Sequence, residues 1–189
     1  MRIEKTILQD VLILIPQHVG DASGWFCETW NASKMAQAGI DLTFVQDNHS
    51  FSATKRTLRG LHYQRPPHAQ DKLVRCSRGM IFDVAVDARR GSPTYGQWVG
   101  VELSAENGKQ LLVPKGFLHD FVTRTQDCEV QYKCSDFYAP ECDGGIRWND
   151  PTIGVAWGLD GDEPVLSQKD TVLPFFVEFE TPFPGEDLA

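Results

Sequence analysis

The sequence predicts an all-β domain, built as an antiparallel jelly-roll sandwich or barrel with a few short helices. Short apolar runs recur along the chain and are separated by Gly, Pro, Asn and Asp, the residues that favour turns. Alternation is clearest in Met80–Asp87, where the even-numbered residues are apolar while Asp83 and Asp87 share the opposite face. Little of the chain repeats at helical spacing. Many short, closely spaced antiparallel strands are typical of a jelly roll.

Each strand is predicted from an apolar or alternating run that ends at a turn-forming residue. The predicted strands are Val11–Ile15, Leu42–Gln46, Leu73–Cys76, Met80–Val86, Trp98–Leu103, Gln110–Val113, Phe117–Thr123 and Val130–Cys134. A helix is predicted over Ala32–Ala38, with Asn31 or Ser33 as its N-cap and Gly39 as its stop. Two single helical turns are also expected, one after Ser104 and one over Gln168–Asp170.

Size and composition predict one domain over residues 1–183, followed by a flexible tail over residues 184–189. The formal net charge of −8 argues against a general nucleic-acid binder, because neutralising phosphates needs a basic face. Five cysteines form no CxxC pair, which indicates reduced thiols. No apolar run approaches the ~18 residues of a membrane span, and no signal-peptide pattern opens the chain. We therefore expect a cytoplasmic protein with no membrane partner.

Two histidine segments carry the strongest chemical signal. The first is Arg59–Gln64, and the second is Pro114–His119 further along the chain. In a regular strand Arg59 and His62 would face opposite sides, so they converge only if Gly60 permits a bulge or bend. An imidazole, with an ordinary pKa of ~6.5, is a natural proton acceptor at neutral pH. The two segments therefore favour proton transfer.

The spacing of these residues disfavours a metal. The second half of a cupin signature, a jelly-roll pattern, is matched by Gly108, Pro114, Gly116 and His119. In metal-binding cupins the first half supplies a His-x-His pair followed by a Glu. Here the corresponding segment is His62-Tyr63-Gln64, and no Glu follows before Glu102. Because a catalytic metal normally needs three protein ligands, we expect a cupin-like fold without a metal.

Further motifs lie in order between Ile3 and Pro174. They are Val45–Ser50, Leu58–Gln64, Lys72–Val74, Phe82–Asp87, Ser92–Thr94, Leu103–Asn107, Pro114–Phe121, Tyr132-Lys133 and Trp148–Pro151. With them the chain resembles the dTDP-4-dehydrorhamnose 3,5-epimerases of deoxysugar biosynthesis. The resemblance implies a cofactor-free jelly-roll cupin, usually a homodimer. It also implies dTDP-4-keto-6-deoxy-D-glucose as substrate and dTDP-4-keto-L-rhamnose as product.

The resemblance implies which residues would move protons. His62 matches the general base and Tyr132 the general acid, working from opposite faces of the sugar ring. Asp170 matches the carboxylate that pairs with the catalytic histidine, and Asp83 is the other candidate for that pairing. Lys72 matches a group near the substrate carbonyl and is the expected donor to the enolate oxygen.

The resemblance also implies how the substrate would be held. His119 matches a group near the sugar, and Tyr138 matches the aromatic residue that stacks on thymine. Contacts to the nucleotide or its phosphates are matched by Arg59, Gln46, Asn48, Glu28 and Lys169. In the family, the amino-terminal segment that here carries Phe26 and Glu28 reaches into the partner's site, so dimerisation completes the pocket.

Three positions depart from the family pattern. Ser23 stands where an arginine that contacts the nucleotide is usual, and Asp143 replaces a glutamate that does the same. The usual His-Gly-Phe appears as His119-Asp120-Phe121. These changes leave the exact nucleotide sugar open. Three alternative functions also remain: an epimerase acting at C3 or C5 only, a metal-dependent cupin oxygenase, and a non-catalytic sugar-nucleotide-binding jelly roll.

Overall fold

The computed structural model describes residues 1–184, and these form two antiparallel sheets, a separate hairpin and a few short helices. The strands are β1 Arg2–Lys5, β2 Leu12–Ile15, β3 His18–Asp21, β4 Gly24–Cys27, β5 Gln46–Ser52, β6 Leu61–Gln64, β7 Lys72–Arg78, β8 Met80–Asp87, β9 Trp98–Ser104, β10 Gln110–Val113, β11 Phe117–Thr123, β12 Cys128–Cys134 and β13 Asp143–Ile146. The all-β jelly-roll prediction is confirmed.

The two sheets have interleaved strand orders, as expected when one chain winds back and forth across a sandwich. The six-stranded sheet runs β1-β2-β10-β7-β12-β5, and the five-stranded sheet runs β13-β6-β11-β8-β9. β3 and β4 pair only with each other in the described part of the chain. This topology places β6 in one sheet and β7 and β12 in the other, so side chains of these strands can face each other across the sandwich.

The core consists of three apolar clusters, one between the two sheets and one on the outer face of each sheet, because alternate residues of a strand point to opposite faces. Both sheets contribute the apolar cluster between them, which includes Val74 and Val130 from one sheet and Phe117 and Phe121 from the other. The outer face of the five-stranded sheet is covered by the carboxy-terminal segment, through Ile153, Trp157, Phe179 and Phe183. The outer face of the six-stranded sheet packs against Met35 and Ile40. Both sheets are therefore covered on both faces over much of their area.

The helical predictions have mixed outcomes. Helix α1 spans Ala32–Gln37, and the Asn31 side chain accepts a hydrogen bond from Lys34 N–H, so Asn31 is the N-cap. A 3₁₀ helix at Lys169–Val172 confirms the helical turn predicted over Gln168–Asp170. After Ser104 the chain makes the single turn that was predicted, in which Gly108 N–H donates to Ser104 O at 3.1 Å, but the turn does not extend into a helix. Ser104 and Asn107 also exchange side-chain-to-backbone hydrogen bonds there.

The prediction of a strand over Leu42–Gln46 is wrong, since β5 begins only at Gln46. Leu42 and Phe44 pack against the layer that contains Met35, so burial without strand pairing explains the apolar run. The predicted strands did not include β1, β3, β4, β6 or β13, and they missed all of β5 except Gln46. The predicted tail lies outside the described residues except for Pro184, which forms a bridge with Arg90 and is not loose.

Candidate active site

A cavity of about 510 Å³ is lined by residues of both sheets and of the 3₁₀ helix at Lys169–Val172. Ten of the predicted site residues line it: His62, Lys72, Tyr132, Asp170, Arg59, Gln46, Asn48, Tyr138, Asp143 and Lys169. Their convergence from distant parts of the sequence is the first structural indication of a functional site.

A histidine–aspartate pair forms one wall of this cavity. His62 Nε2 lies 2.7 Å from Asp170 Oδ1, and Ser167 Oγ donates to Asp170 Oδ2 at 2.6 Å. Burial raises the pKa of Asp170, but the hydrogen bonds from His62 and Ser167 outweigh it and hold that pKa below its ordinary value. The carboxylate is thus ionised and available to stabilise an imidazolium. Of the two candidate partners for His62, the structure pairs it with Asp170.

A bulge brings Arg59 and His62 to the same cavity, as the sequence required. Leu58 bridges Val122 while His62 lies opposite His119, so the segment carrying Arg59 contains one extra residue between these two points. Gly60 has a φ of +71°, a backbone conformation that would be strained for a residue with a side chain. A Cβ at Gly60 would also lie only 2.8 Å from Asp170 Oδ1. The absence of a side chain therefore permits both the bulge and the dyad.

Lys72 and Tyr132 approach from the other sheet, on the wall that faces His62. They lie on β7 and β12, two neighbouring strands of the six-stranded sheet. Burial lowers the pKa of Lys72, and the acidic groups nearby oppose that shift only in part. Burial also raises the pKa of Tyr132. The phenol is therefore held in its protonated form, and the ammonium is poised to give up its proton more readily than an exposed lysine.

A second histidine–aspartate pair lies deeper in the sandwich. His119 Nε2 is 2.8 Å from Asp83 Oδ1, and both residues are buried. His119 does not line the cavity but lies directly opposite His62 in the register of β6 and β11. Asp83 therefore serves His119, which leaves Asp170 for His62.

Polar side chains connected by hydrogen bonds surround the mouth of the cavity. Tyr138 N–H donates to Gln46 Oε1 at 3.0 Å, and Gln46 Nε2 donates to Asn48 Oδ1 at 3.1 Å. Tyr138 is 58% exposed as a residue, so its ring can stack on a planar ligand. Across the mouth, Lys169 forms an ion pair with Asp143. This arrangement offers amides, a cation and an aromatic face, which together suit a nucleotide.

The remaining predicted residues lie outside this cavity within the single chain. Ser23 sits in the β3–β4 turn, where its N–H and Oγ both donate to Asp21 Oδ1. Phe26 is 71% exposed on β4. Glu28 accepts hydrogen bonds from Lys34 Nζ at 2.7 Å and from Asn31 Nδ2 at 3.1 Å. The hairpin thus presents its side chains outward.

Four residues that line the cavity were not predicted. Ser167 could have been suspected, because it lies one helical turn before Asp170. Gln64 ties the loop beside Tyr138 in place, donating to Phe137 O and accepting from Ala139 N–H. Tyr63 and Gln70 also line the cavity. No local sequence signal distinguishes them from ordinary strand and loop residues.

Residues 1–184 lack two kinds of feature, a cluster of metal ligands and a membrane-spanning helix. Within residues 1–184, no three His, Cys, Asp or Glu side chains converge in a group that could hold a metal ion. In the same part of the chain no helix is long and apolar enough to cross a bilayer. All five cysteines fall within it and are unpaired.

The fold and the site together define a cupin-type jelly roll with an acid–base centre. Residues 5–178 match the family model described as dTDP-4-dehydrorhamnose 3,5-epimerase, and the chain belongs to that family. The dTDP-4-dehydrorhamnose 3,5-epimerase of Salmonella typhimurium is 51% identical over 175 residues, covering 92% of this chain and 94% of the relative.

Solved structures agree with this assignment. The Legionella pneumophila dTDP-6-deoxy-D-glucose-3,5-epimerase, in complex with dTDP-4-keto-L-rhamnose, superposes with a TM-score of 0.91 at 42% identity, covering 97% of both chains. The Bacillus anthracis dTDP-4-dehydrorhamnose 3,5-epimerase, with TDP and PPi bound, gives a TM-score of 0.88 at 43% identity, covering 92% of this chain and 98% of that one.

Proposed function

We propose that this chain epimerises C3 and C5 of dTDP-4-keto-6-deoxy-D-glucose and releases dTDP-4-keto-L-rhamnose. The observation that carries the proposal is the His62–Asp170 dyad facing Lys72 and Tyr132 across one cavity. Family membership agrees with it, because the relatives named above are 3,5-epimerases. The reaction needs only proton transfers beside a ketone, so it requires no cofactor.

The reaction begins with removal of a proton from the carbon beside the C4 ketone. His62 takes that proton on Nδ1, since Nε2 is directed at Asp170. The electrons of the broken C–H bond move into the carbonyl, which becomes an enolate oxygen. Lys72 donates to this oxygen, a contribution that can be worth ~3–4 kcal/mol when the donor is preorganised.

Inversion follows when a proton returns to the opposite face of the same carbon. Tyr132 lies on the six-stranded sheet and His62 on the five-stranded sheet, so a sugar between them is reached from both sides. The phenol gives its proton to the carbon, and the enolate electrons re-form the ketone. The imidazolium of His62 then releases its proton to water and the phenolate of Tyr132 takes one up from water, which returns both side chains to their starting states. The same pair serves C3 and C5 if the ring presents each carbon in turn.

The mouth of the cavity would hold the nucleotide. Arg59 and Lys169 supply cations for the pyrophosphate, and Tyr138 supplies a face for the thymine ring. Gln46 and Asn48 have amide groups that match the polar edge of a base. Lys169 must leave its ion pair with Asp143, at least in part, to bind a phosphate.

A second copy of the chain would complete the site. The Phe26 ring is exposed on a hairpin outside its own cavity, and Glu28 is fixed nearby by Lys34. We propose a homodimer in which this segment, including the position of Ser23, reaches the partner's cavity. The dimer would work in the cytoplasm, where the five unpaired thiols of each chain stay reduced.

Mixed dimers test that arrangement. The Glu28→Ala and His62→Asn variants should each be inactive when assayed alone at low substrate concentration. The two proteins are mixed, unfolded and refolded together, and the activity of the mixture is measured. If Glu28 serves the partner's site, each heterodimer contains one intact site, and about a quarter of wild-type activity returns at equal mixing. If Glu28 serves its own site, every site keeps one defect and no activity returns.

The decisive experiment for the reaction is incubation of the protein with dTDP-4-keto-6-deoxyglucose in D₂O, followed by NMR of C3 and C5. Deuterium at both carbons with inversion supports the proposal. Deuterium at a single carbon identifies a monoepimerase of a related 4-keto sugar. A protein that binds the nucleotide sugar without exchange is the non-catalytic jelly roll. Elemental analysis of the purified protein tests the cupin oxygenase.

A further inference from the structure

Strand β11 meets the segment that carries the catalytic histidine at two points. Leu58 bridges Val122, and His62 lies opposite His119. Between these points three residues of the catalytic segment face two residues of β11, so the regular ladder of hydrogen bonds is interrupted there. Asp120 is one of those two residues of β11. It therefore lies beside the bulge that brings the site together.

The directions of the backbone N–H and C=O groups of β11 show which group the bulge leaves without a backbone hydrogen-bond partner. Thr123 N–H donates to Thr57 O at 3.0 Å, and Thr123 O accepts from Arg56 N–H at 2.8 Å, so Thr123 turns both groups toward the catalytic segment. Alternate residues of a strand turn their backbone groups the same way, so Phe121 N–H also points into the bulge. Asp120 Oδ1 accepts this N–H at 2.6 Å. The carboxyl thus replaces the missing backbone partner.

The environment of Asp120 disfavours a negative charge on its carboxyl. The residue is 4% exposed, and Oδ2 has no hydrogen-bond partner among the described residues. Asp170, Asp83, Lys72 and Tyr132 surround it from four other elements. Burial, followed by the charges of Asp170 and Asp83, raises the pKa of Asp120 well above its ordinary value, against its backbone hydrogen bond and Lys72. The neutral form of the acid fits a buried Oδ2 that has no hydrogen-bond partner among the described residues.

We propose that Asp120 is a positioning residue, whose carboxyl closes the hydrogen-bonding gap of the bulge and so holds Arg59 and His62 on one wall of the cavity. The inference rests on the proposed function, because its consequence is measured on the epimerisation. It requires an acceptor at position 120 and no charge there. Replacement by an amide should therefore preserve the arrangement, whereas replacement by an apolar side chain should relax it.

Four variants separate these requirements. Asp120→Asn keeps an acceptor for Phe121 N–H and carries no charge. Asp120→Leu has a branched side chain like aspartate but offers no acceptor. Asp120→Ala also removes the acceptor, with less bulk, in case the leucine variant fails to fold. Asp120→Gly opens space for a water molecule to take the acceptor's place. A matched control is Asp150→Asn, since Asp150 is also buried and accepts backbone N–H groups but lies outside the bulge between the Leu58–Val122 and His62–His119 pairs.

Steady-state kinetics with dTDP-4-keto-6-deoxyglucose give the readout. We expect Asp120→Leu and Asp120→Ala to lower kcat by about tenfold or more with KM nearly unchanged, because a small misplacement of the base slows chemistry more than binding. Asp120→Asn should stay close to wild type, Asp120→Gly should fall between, and Asp150→Asn should lose stability without losing kcat. Equal kcat in the leucine, alanine and asparagine variants overturns the proposal, as does an asparagine variant as slow as leucine. Absence of α-proton exchange in the wild type would instead overturn the proposed function.

Discussion

His62 Nε2 lies 2.7 Å from Asp170 Oδ1, although the two residues are 108 positions apart in the sequence. Ser167 fixes the other carboxylate oxygen, so the aspartate cannot turn away from the imidazole. A carboxylate acceptor keeps the proton on Nε2 and leaves the lone pair on Nδ1. The base is therefore oriented, and its accepting atom is defined, before substrate binds.

Replacing His62 with asparagine should abolish exchange of the substrate's α-protons, because no other group of this wall has an ordinary pKa near neutrality. The measurement is deuterium incorporation at C3 and C5 by NMR in D₂O. Circular dichroism and binding of dTDP serve as controls for folding and for the nucleotide pocket. Near-normal incorporation in a folded variant would remove His62 from the role of base.

Replacing Asp170 with asparagine should lower kcat by about 10²–10⁴-fold, the usual contribution of an acid–base group. The amide can donate to Nε2 and so favour the tautomer that carries its proton on Nδ1, where no base remains. Ser167→Ala is the matched milder change, since it removes one hydrogen bond and keeps the carboxylate. Comparable losses in the two variants would show that orientation alone, without the charge, accounts for the effect.

A feature of the fold or of the site could be predicted from the sequence when it depends on neighbouring residues of the chain. The strand Met80–Asp87 follows from alternation, and the bulge at Gly60 was required once Arg59 and His62 were taken to converge. Strands such as Arg2–Lys5 were missed because their polar residues are stabilised by pairing with β2, a contact that alternation does not reveal.

The features of the site that the sequence did not predict depend on contacts between residues far apart in the chain. The choice between Asp170 and Asp83 stayed open because both are acidic residues that could reach an imidazole. Only the fold shows that Asp83 is occupied by His119. The acceptor role of Asp120 was not predicted either, since it depends on the offset between Leu58–Val122 and His62–His119.

Replacing Tyr132 with phenylalanine should separate the two proton transfers. Because the phenol lies on the wall opposite His62, its loss should leave abstraction intact and block protonation from the other face. NMR should then show deuterium entering the substrate with its original configuration and little inverted sugar. An unchanged yield of epimer would assign the acid role to water or to another side chain.

Activity should survive dialysis against a strong chelator. The segment His62-Tyr63-Gln64 lacks the second histidine of a metal-binding cupin, and residues 1–184 offer no convergent set of three ligands. The epimerisation rate is compared before and after dialysis, with the metal content measured in parallel. Activity that disappears and returns with one particular divalent ion would replace proton transfer by a metal-assisted mechanism.

The alkaline limb of the pH–rate profile should belong to Lys72. Burial lowers the pKa of Lys72 and raises that of Tyr132, so as the pH rises the ammonium loses its proton while the phenol still holds its own. Loss of that proton removes the charged donor to the enolate oxygen, and kcat should fall. In the wild type this decline therefore begins below the ordinary lysine pKa of ~10.4.

Two substitutions test the assignment. Lys72→Arg keeps a cation that does not titrate in this range, so its alkaline limb should move to higher pH even though the different geometry of the guanidinium lowers kcat. Lys72→Met removes the donor and should lower kcat by about 10²–10³-fold at all pH values, with no alkaline limb from this position. Binding of dTDP should change little in either variant, because Lys72 acts at the sugar. An arginine variant whose rate declines at the same pH as the wild type would assign the limb to Tyr132 and leave the enolate without a titrating donor.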